Sequence, residues 1–164
     1  MATTGFPGHF VAMARNNIWS NHRLLQACTA LSPGEFAAPR TSFFPSLRAT
    51  LNHILWVDTY YIDALERDPT VLERYADPPP DFAEAAALHD AQIASDRRLL
   101  AFCERQTEQS LAEGLVLPRP NRTPPASSVA SILEHLFQHQ THHRGQAHAM
   151  LAGTKVKPPQ LDEF

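Results

Sequence analysis

Apolar residues recur every three or four positions in four stretches of the chain, and proline-rich segments separate these stretches. This spacing places the apolar side chains on one face of an α-helix. We therefore predict four amphipathic helices, at about residues 8–30, 45–67, 81–106 and 127–152. No stretch alternates apolar and polar residues for long enough to predict a sheet, and we expect at most a short hairpin around residues 115–117.

The prolines mark the joints between the predicted helices. Residues 68–80 contain DPT followed by DPPP, and residues 107–127 contain PRPNRTPP. Proline ends a helix because it lacks a backbone N–H group and clashes with the preceding turn. Four helices of about 20 residues are typical of a four-helix bundle. The sequence thus predicts an all-α protein, and its 164 residues suit one domain spanning residues 1–164.

The composition narrows the classes of function. Hydrophobic residues make up 43% of the chain, too many for a disordered protein, and the apolar runs fall far short of the ~20 residues that span a bilayer. A formal charge of −3 without a basic stripe argues against binding to nucleic acid. The chain starts without the pattern of a secretory signal, and two cysteines are too few for a disulfide framework. We expect a cytoplasmic protein with no membrane or nucleic-acid partner.

Five histidines lie between residues 135 and 148 of the fourth predicted helix. Since a helix turns by about 100° per residue, the side chains of His135, His139, His142 and His143 share one face, together with Gln146. Two histidines four residues apart can bind one transition-metal ion. One alternative is a partly wet polar face. If the imidazoles are buried, each one without a partner would cost roughly 1–3 kcal/mol, so the other alternative to a metal is a dense hydrogen-bond network.

A third ligand would have to come from another helix, and the candidates are His9, His22, His53 and His89. Of these, His53 lies in the strongly apolar stretch LNHILWVDTYYIDAL on the second predicted helix. The same stretch carries Asp58 inside its apolar stripe. A carboxylate there needs a partner, which we expect to be a ligand histidine, or otherwise an arginine or a tyrosine hydroxyl. No HExxH, GxSxG, CxxC, phosphate loop or Glu-x-x-His motif offers a different chemistry.

Four motifs together resemble the DinB family of metal-binding bundles: ARNNIWSNHRLLQA, LNHILWVDTYYIDAL, HQTHHRGQAHAML and the closing KPPQLDEF. The resemblance covers nearly the whole chain. It implies an up-down-down-up helix order with a long crossover between the second and third helices, which the segment 68–80 fits. It also implies a metal held by His53, His139 and His143. His135 and His142 would then be neighbours of the site, while Gln146 could bond a ligand, a water molecule or the substrate.

Three imidazoles leave coordination positions open, as in catalytic rather than structural metal sites. Nitrogen ligands favour zinc or nickel, and the resemblance also permits iron or manganese. Proteins similar to this family include transferases and isomerases that use low-molecular-weight thiols, and others with no known reaction, and our leading hypothesis is a metal-dependent, thiol-dependent S-transferase acting on small electrophiles. The alternatives are a metal-assisted hydrolase and a non-catalytic metal-binding dimer of the DNA-damage stress response. We expect a homodimer, with Trp56, Tyr60 and Tyr61 forming an exposed contact surface.

Overall fold

The computed structural model describes residues 5–162, so the first four residues and the last two residues of the KPPQLDEF motif lie outside it. The four long helices confirm the predicted all-α class. In chain order the elements are α1 (Gly5–Cys28), α2 (Pro33–Ala37), α3 (Leu47–Leu65), α4 (Val71–Arg74), α5 (Ala85–Glu104), α6 (Glu108–Ala112), β1 (Gly114–Leu115), β2 (Ser127–Ser128) and α7 (Val129–Ala152).

The long helices form a bundle in which α1 and α3 each pack against both α5 and α7. Contacts between α3 and α5 advance in the same direction along both helices, since Asp58 contacts Gln92 and Asp63 contacts Arg98. These two helices are therefore parallel. In the described part of the chain, α3 runs antiparallel to α7, since His53 contacts His139 and Tyr61 contacts His135. The helix α1 runs antiparallel to α5, as the pairs Arg15–Glu104 and Asn21–Asp96 show. These directions agree with an up-down-down-up order.

Side-chain caps set where the helices begin. The hydroxyl groups of Ser46 and Ser128 accept hydrogen bonds from backbone N–H groups in the first turns of α3 and α7, which satisfies donors that a helix leaves unpaired. The third long helix begins at Ala85, later than predicted. The reason is Asn52, whose side chain accepts from the Phe82 N–H group at 2.8 Å and donates to the Phe82 carbonyl at 3.1 Å. This pair holds the end of the crossover in a non-helical conformation.

The predicted hairpin around residues 115–117 is wrong. The strand β1 instead pairs antiparallel with β2, with Gly114 opposite Ser128 and Leu115 opposite Ser127. Prolines follow β1 closely at positions 118 and 120, and proline cannot donate to a strand ladder. The two-residue pairing therefore closes the whole connection between α6 and α7 instead of a local turn.

A buried polar layer divides the core into two apolar clusters. One cluster includes Phe10 and Leu136, and the other includes Leu24 and Leu151. Burying one such side chain typically stabilises a protein by about 1.5–3 kcal/mol. The layer between them, here called the polar ring, consists of Asn21, Asp58, Gln92, Asp96, Gln140 and Arg144, each less than a tenth exposed.

None of the helices described between residues 5 and 162 is both long and apolar enough to cross a membrane.

Candidate metal centre

The helices α3 and α7 bring together the three histidines that the family resemblance implies. His53, His139 and His143 each offer one ring nitrogen, and these three atoms lie within 4.8 Å of one another. The Nε2 atoms of His53 and His139 are 3.0 Å apart. The ring centroids of His139 and His143 are separated by 4.4 Å, as the spacing of four residues on one helix predicts. On α7, His139 and His143 directly precede Gln140 and Arg144 of the polar ring.

The surroundings of the three histidines favour neutral rings. Burial, together with the nearby His143, lowers the pKa of His53 to about 4 and that of His139 to about 3. Burial also lowers the pKa of His143. Each ring therefore keeps a nitrogen lone pair at neutral pH, which is the form that binds metals. Such a set of nitrogen donors fits zinc or nickel better than magnesium or calcium.

Gln146 fixes the orientation of one ring of the cluster. Its Oε1 atom lies 2.8 Å from Nδ1 of His143, and because an amide oxygen can only accept, His143 donates. In that tautomer the lone pair of His143 is on Nε2. The amide nitrogen of Gln146 also donates to Nε2 of the exposed His142, at 3.1 Å. Gln146 thus connects His142 to the cluster, as a neighbour of the site.

Removing this hydrogen bond should weaken metal binding. We expect Gln146→Leu to lower the metal affinity roughly 10- to 100-fold, the range found when partners of metal-bound histidines are lost. The effect is measurable by competition with a chromophoric chelator. Gln146→Glu keeps an acceptor oxygen and should retain most of the affinity. Equal affinities for Gln146→Leu and the unaltered protein would show that this bond does not support the site.

The remaining predicted histidines lie beside the cluster or apart from it. His135 is exposed, and its ring lies 5.4 Å from that of Tyr61 and 6.4 Å from that of His139. His22 and His89 pair with each other across α1 and α5, with Nδ1 and Nε2 3.0 Å apart. His9 stacks against Phe6 near the start of α1. His22, His89 and His9 are therefore not candidates for the third ligand.

The predicted bond from Asp58 to a ligand histidine is wrong. Asp58 accepts hydrogen bonds from Nε2 of Gln92, at 2.8 Å, and from Nε2 of Gln140. The two amides reach the carboxyl group from α5 and α7, and among the described residues no histidine, arginine or tyrosine hydroxyl bonds to it. Burial and the nearby carboxylate of Asp96 raise the pKa of Asp58 well above its usual range, which favours its protonated form.

The polar ring forms a closed circuit of hydrogen bonds across all four long helices. Arg144 donates to Asn21 at 3.1 Å and to Gln140 at 3.2 Å, and Asn21 donates to Asp96 at 3.0 Å. Gln92 completes the circuit by donating to both aspartates. In the sequence, Gln140 and Arg144 directly follow His139 and His143. The ring therefore fixes the rotation of α7 that turns these two histidines towards α3.

Two cavities meet at the histidine cluster. The larger, of about 820 Å³, lies between α3, α5 and the proline-rich crossover, and the smaller measures about 440 Å³. His53 lines both of them, and His139 lines the smaller one. Phe44, from the segment before α3, places its ring 4.4 Å from that of His53. The cluster is thus accessible from two compartments large enough for small organic molecules.

The aromatic residues expected at a dimer surface instead line the smaller cavity. Tyr60 is 8% exposed and Tyr61 is 5% exposed, so the predicted exposed contact surface is wrong. Tyr61 faces α7, where its ring lies 5.4 Å from that of His135, whereas Tyr60 packs against Tyr75 and bonds to the Pro118 carbonyl. The cavities are also lined by Phe44 and Arg119. These two residues were not predicted from the sequence as part of the site, because they lie in irregular segments where no periodicity indicates the direction of a side chain.

Comparisons with known proteins agree with this fold. The sequence model of the DinB family matches residues 1–164. The protein named DinB from Bacillus subtilis strain 168 is 24% identical over 139 residues, which cover 82% of this chain and 80% of that protein.

Two crystal structures of DinB-like proteins are similar to the present fold. One, from Bacillus cereus ATCC 10987, superposes with a TM-score of 0.72 at 16% identity and covers 98% of this chain and 99% of its own. The other, from Bacillus subtilis, gives a TM-score of 0.68 at 12% identity and covers 95% of this chain and 99% of its own. At these identities the likeness concerns the fold.

Proposed function

The chain belongs to the DinB family, and we propose that it is a metal-dependent enzyme in which His53, His139 and His143 hold one divalent transition metal. Zinc and nickel are the preferred ions, with iron and manganese as further candidates. The observation that carries the proposal is the meeting of three imidazole nitrogens within 4.8 Å, beside two cavities that both reach His53. With three protein ligands, coordination positions remain for water or substrate.

The reaction that we propose is the transfer of a small electrophile to a low-molecular-weight thiol. Two cavities that share His53 can hold two substrates on either side of the cluster, whereas hydrolysis requires only one organic substrate. A divalent ion, when bound, would lower the pKa of the thiol and so supply the thiolate nucleophile. The sulfur forms a bond to the electrophilic carbon, the thiol proton passes to water, and any leaving group departs with its bonding electrons.

The side chains around the cluster would prepare this reaction. Gln146 holds His143 in the tautomer that leaves Nε2 free. Phe44 covers the ring of His53, and Tyr60 and Tyr61 wall the smaller cavity, so these rings would limit the access of water to the reacting groups. Low local polarity strengthens electrostatic interactions at such a site.

The test is thiol consumption by the metal-loaded protein with 1-chloro-2,4-dinitrobenzene and a panel of small thiols. We expect release of one chloride for each thiol consumed, and loss of this activity after metal removal and in His139→Ala. The matched control is His148→Ala, which changes another histidine of α7 and should keep the activity. Metal-dependent hydrolysis of aryl esters without thiol would favour the hydrolase instead. A fully metal-loaded protein inactive in both assays would contradict an enzymatic role.

We also propose a homodimer, as the family resemblance implies. Light scattering at micromolar concentration should then give about twice the chain mass of 18.3 kDa. A mass near that of a single chain would contradict the dimer. A monomeric mass would not contradict the proposed metal site, since all three proposed ligands come from one chain.

A further inference from the structure

The smaller cavity, here called the aromatic pocket, combines aromatic walls with a single arginine. Trp56, Tyr60, Tyr61 and Tyr75 form much of its wall, and His53 and His139 border it. The other residues that line the pocket, apart from its histidines, have side chains that are uncharged at neutral pH, so Arg119 carries the one permanent charge. The guanidinium therefore dominates the charge of a pocket that adjoins the proposed metal centre.

Contacts with two tyrosines hold Arg119 in place. The Tyr60 hydroxyl donates to the Pro118 carbonyl at 2.5 Å, which ties the segment carrying Arg119 to α3. The guanidinium carbon lies 4.8 Å from the centre of the Tyr60 ring, and Nη2 donates to the Tyr61 hydroxyl at 3.3 Å. Prolines on both sides of Arg119 further restrict the backbone. The side chain is thus positioned before any ligand binds.

The charge of Arg119 has no protein counter-ion in the described part of the chain. The ion pairs found among residues 5–162 involve other arginines and one lysine. A guanidinium has five N–H donors, and the hydrogen bond to Tyr61 uses one of them. An arginine with spare donors inside an aromatic pocket is suited to bind an anionic ligand, because its planar fork matches a carboxylate.

We propose that Arg119 determines substrate specificity by binding the carboxylate of a substrate with an aromatic or apolar body. The body would lie between the tyrosine rings, with its other end directed towards His53 and His139. A carboxylate suits the site because one guanidinium can balance its single charge. The assignment as a substrate rests on the metal-dependent function proposed above, but binding of the carboxylate to Arg119 can be tested separately.

A purely structural role for Arg119 makes a different prediction. If the arginine only fastened its segment to Tyr60 and Tyr61, its replacement would alter stability and would affect charged and neutral ligands alike. If Arg119 binds a carboxylate, its replacement should weaken the charged ligand selectively. The ratio between the two affinities therefore separates the two roles.

The probes are phenylacetate and its neutral analogue phenylacetamide, titrated by calorimetry into full-length, metal-free protein. Metal-free protein is used because a bound ion would itself attract a carboxylate. We expect phenylacetate to bind at least about tenfold more tightly, since hydrogen bonds to charged groups are the stronger kind. Arg119→Gln should abolish this preference, and Arg119→Lys should retain part of it. Arg122→Gln, an exposed arginine nearby in the same segment, should retain all of it.

Equal binding of the two probes to the unaltered protein, or a preference that survives in Arg119→Gln, would overturn the inference. Failure of both probes to bind at millimolar concentration would also overturn it. The metal content of Arg119→Gln should equal that of the unaltered protein. Absence of metal in the unaltered protein would contradict the proposed function, while the ratio of the two probes would still decide the role of Arg119.

Discussion

Replacing His139 with alanine is expected to lower the metal affinity by more than about 100-fold, beyond the range for partners that only support a ligand. His139 is the central residue of the cluster, since its Nε2 lies 3.0 Å from Nε2 of His53 and its ring contacts that of His143. The two imidazoles that remain would hold an ion poorly. Metal content after dialysis against a defined zinc concentration, measured by mass spectrometry, gives the result.

The control for this prediction is His148→Ala on the same helix. The ring of His148 bonds to the Pro159 carbonyl at 2.9 Å and not to the cluster, so metal content should be unchanged. Full occupancy in His139→Ala would contradict the proposed ligand set. A loss of metal in both variants to the same extent would point to a general effect on α7 instead.

Replacing Arg144 with alanine is expected to destabilise the fold at pH 7 by about 3–5 kcal/mol, as is typical when one member of a buried charged network is removed. Arg144 is 7% exposed and is the only cation of the polar ring, which also contains Asp58 and Asp96. Without the Arg144 guanidinium, Asn21 and Gln140 lose a hydrogen-bond donor, and the buried carboxylate of Asp96 loses the positive charge that balances it. Chemical denaturation gives the free energy of unfolding. The exposed Arg15→Ala should change it by no more than about 0.5 kcal/mol.

The destabilisation caused by Arg144→Ala should also depend on pH. Burial raises the pKa of Asp96 from 3.8 to about 6. A carboxyl group with a raised pKa in the folded state contributes stability that is fully present below its unfolded pKa and is lost as the pH rises through about 6. At pH 5 the Asp96 carboxyl is mostly neutral and needs the arginine less. We therefore expect a smaller loss at pH 5 than at pH 7, and equal losses would contradict this role of Arg144.

The long helices and part of the site were predictable because they depend on local spacing. Apolar periodicity indicates α1, α3, α5 and α7, and the four-residue interval between His139 and His143 places both on one face of α7. The third histidine was harder to identify, because pairing His53 with α7 depends on the relative heights of two helices. Only the family resemblance supplied that information.

The polar ring shows where local reasoning fails. The position of Asp58 inside an apolar stripe indicated a buried carboxyl group, but its partners Gln92 and Gln140 lie on two other helices. Each of these three polar residues interrupts the apolar pattern of its own helix. The sequence does not show that the three residues lie at the same height in the bundle, where their side chains can meet. Arg119 was missed for another reason, since it lies in a proline-rich connection where no periodicity indicates which way a side chain points.

The most direct test of the metal centre is anomalous diffraction from crystals of the metal-loaded protein, recorded on both sides of the absorption edge of the metal. The proposed site predicts one strong peak within bonding distance of a nitrogen from each of His53, His139 and His143, at about 2.0–2.1 Å for zinc. A peak bound instead by His135 or His142, or no peak in crystals of protein shown to contain metal, would contradict it.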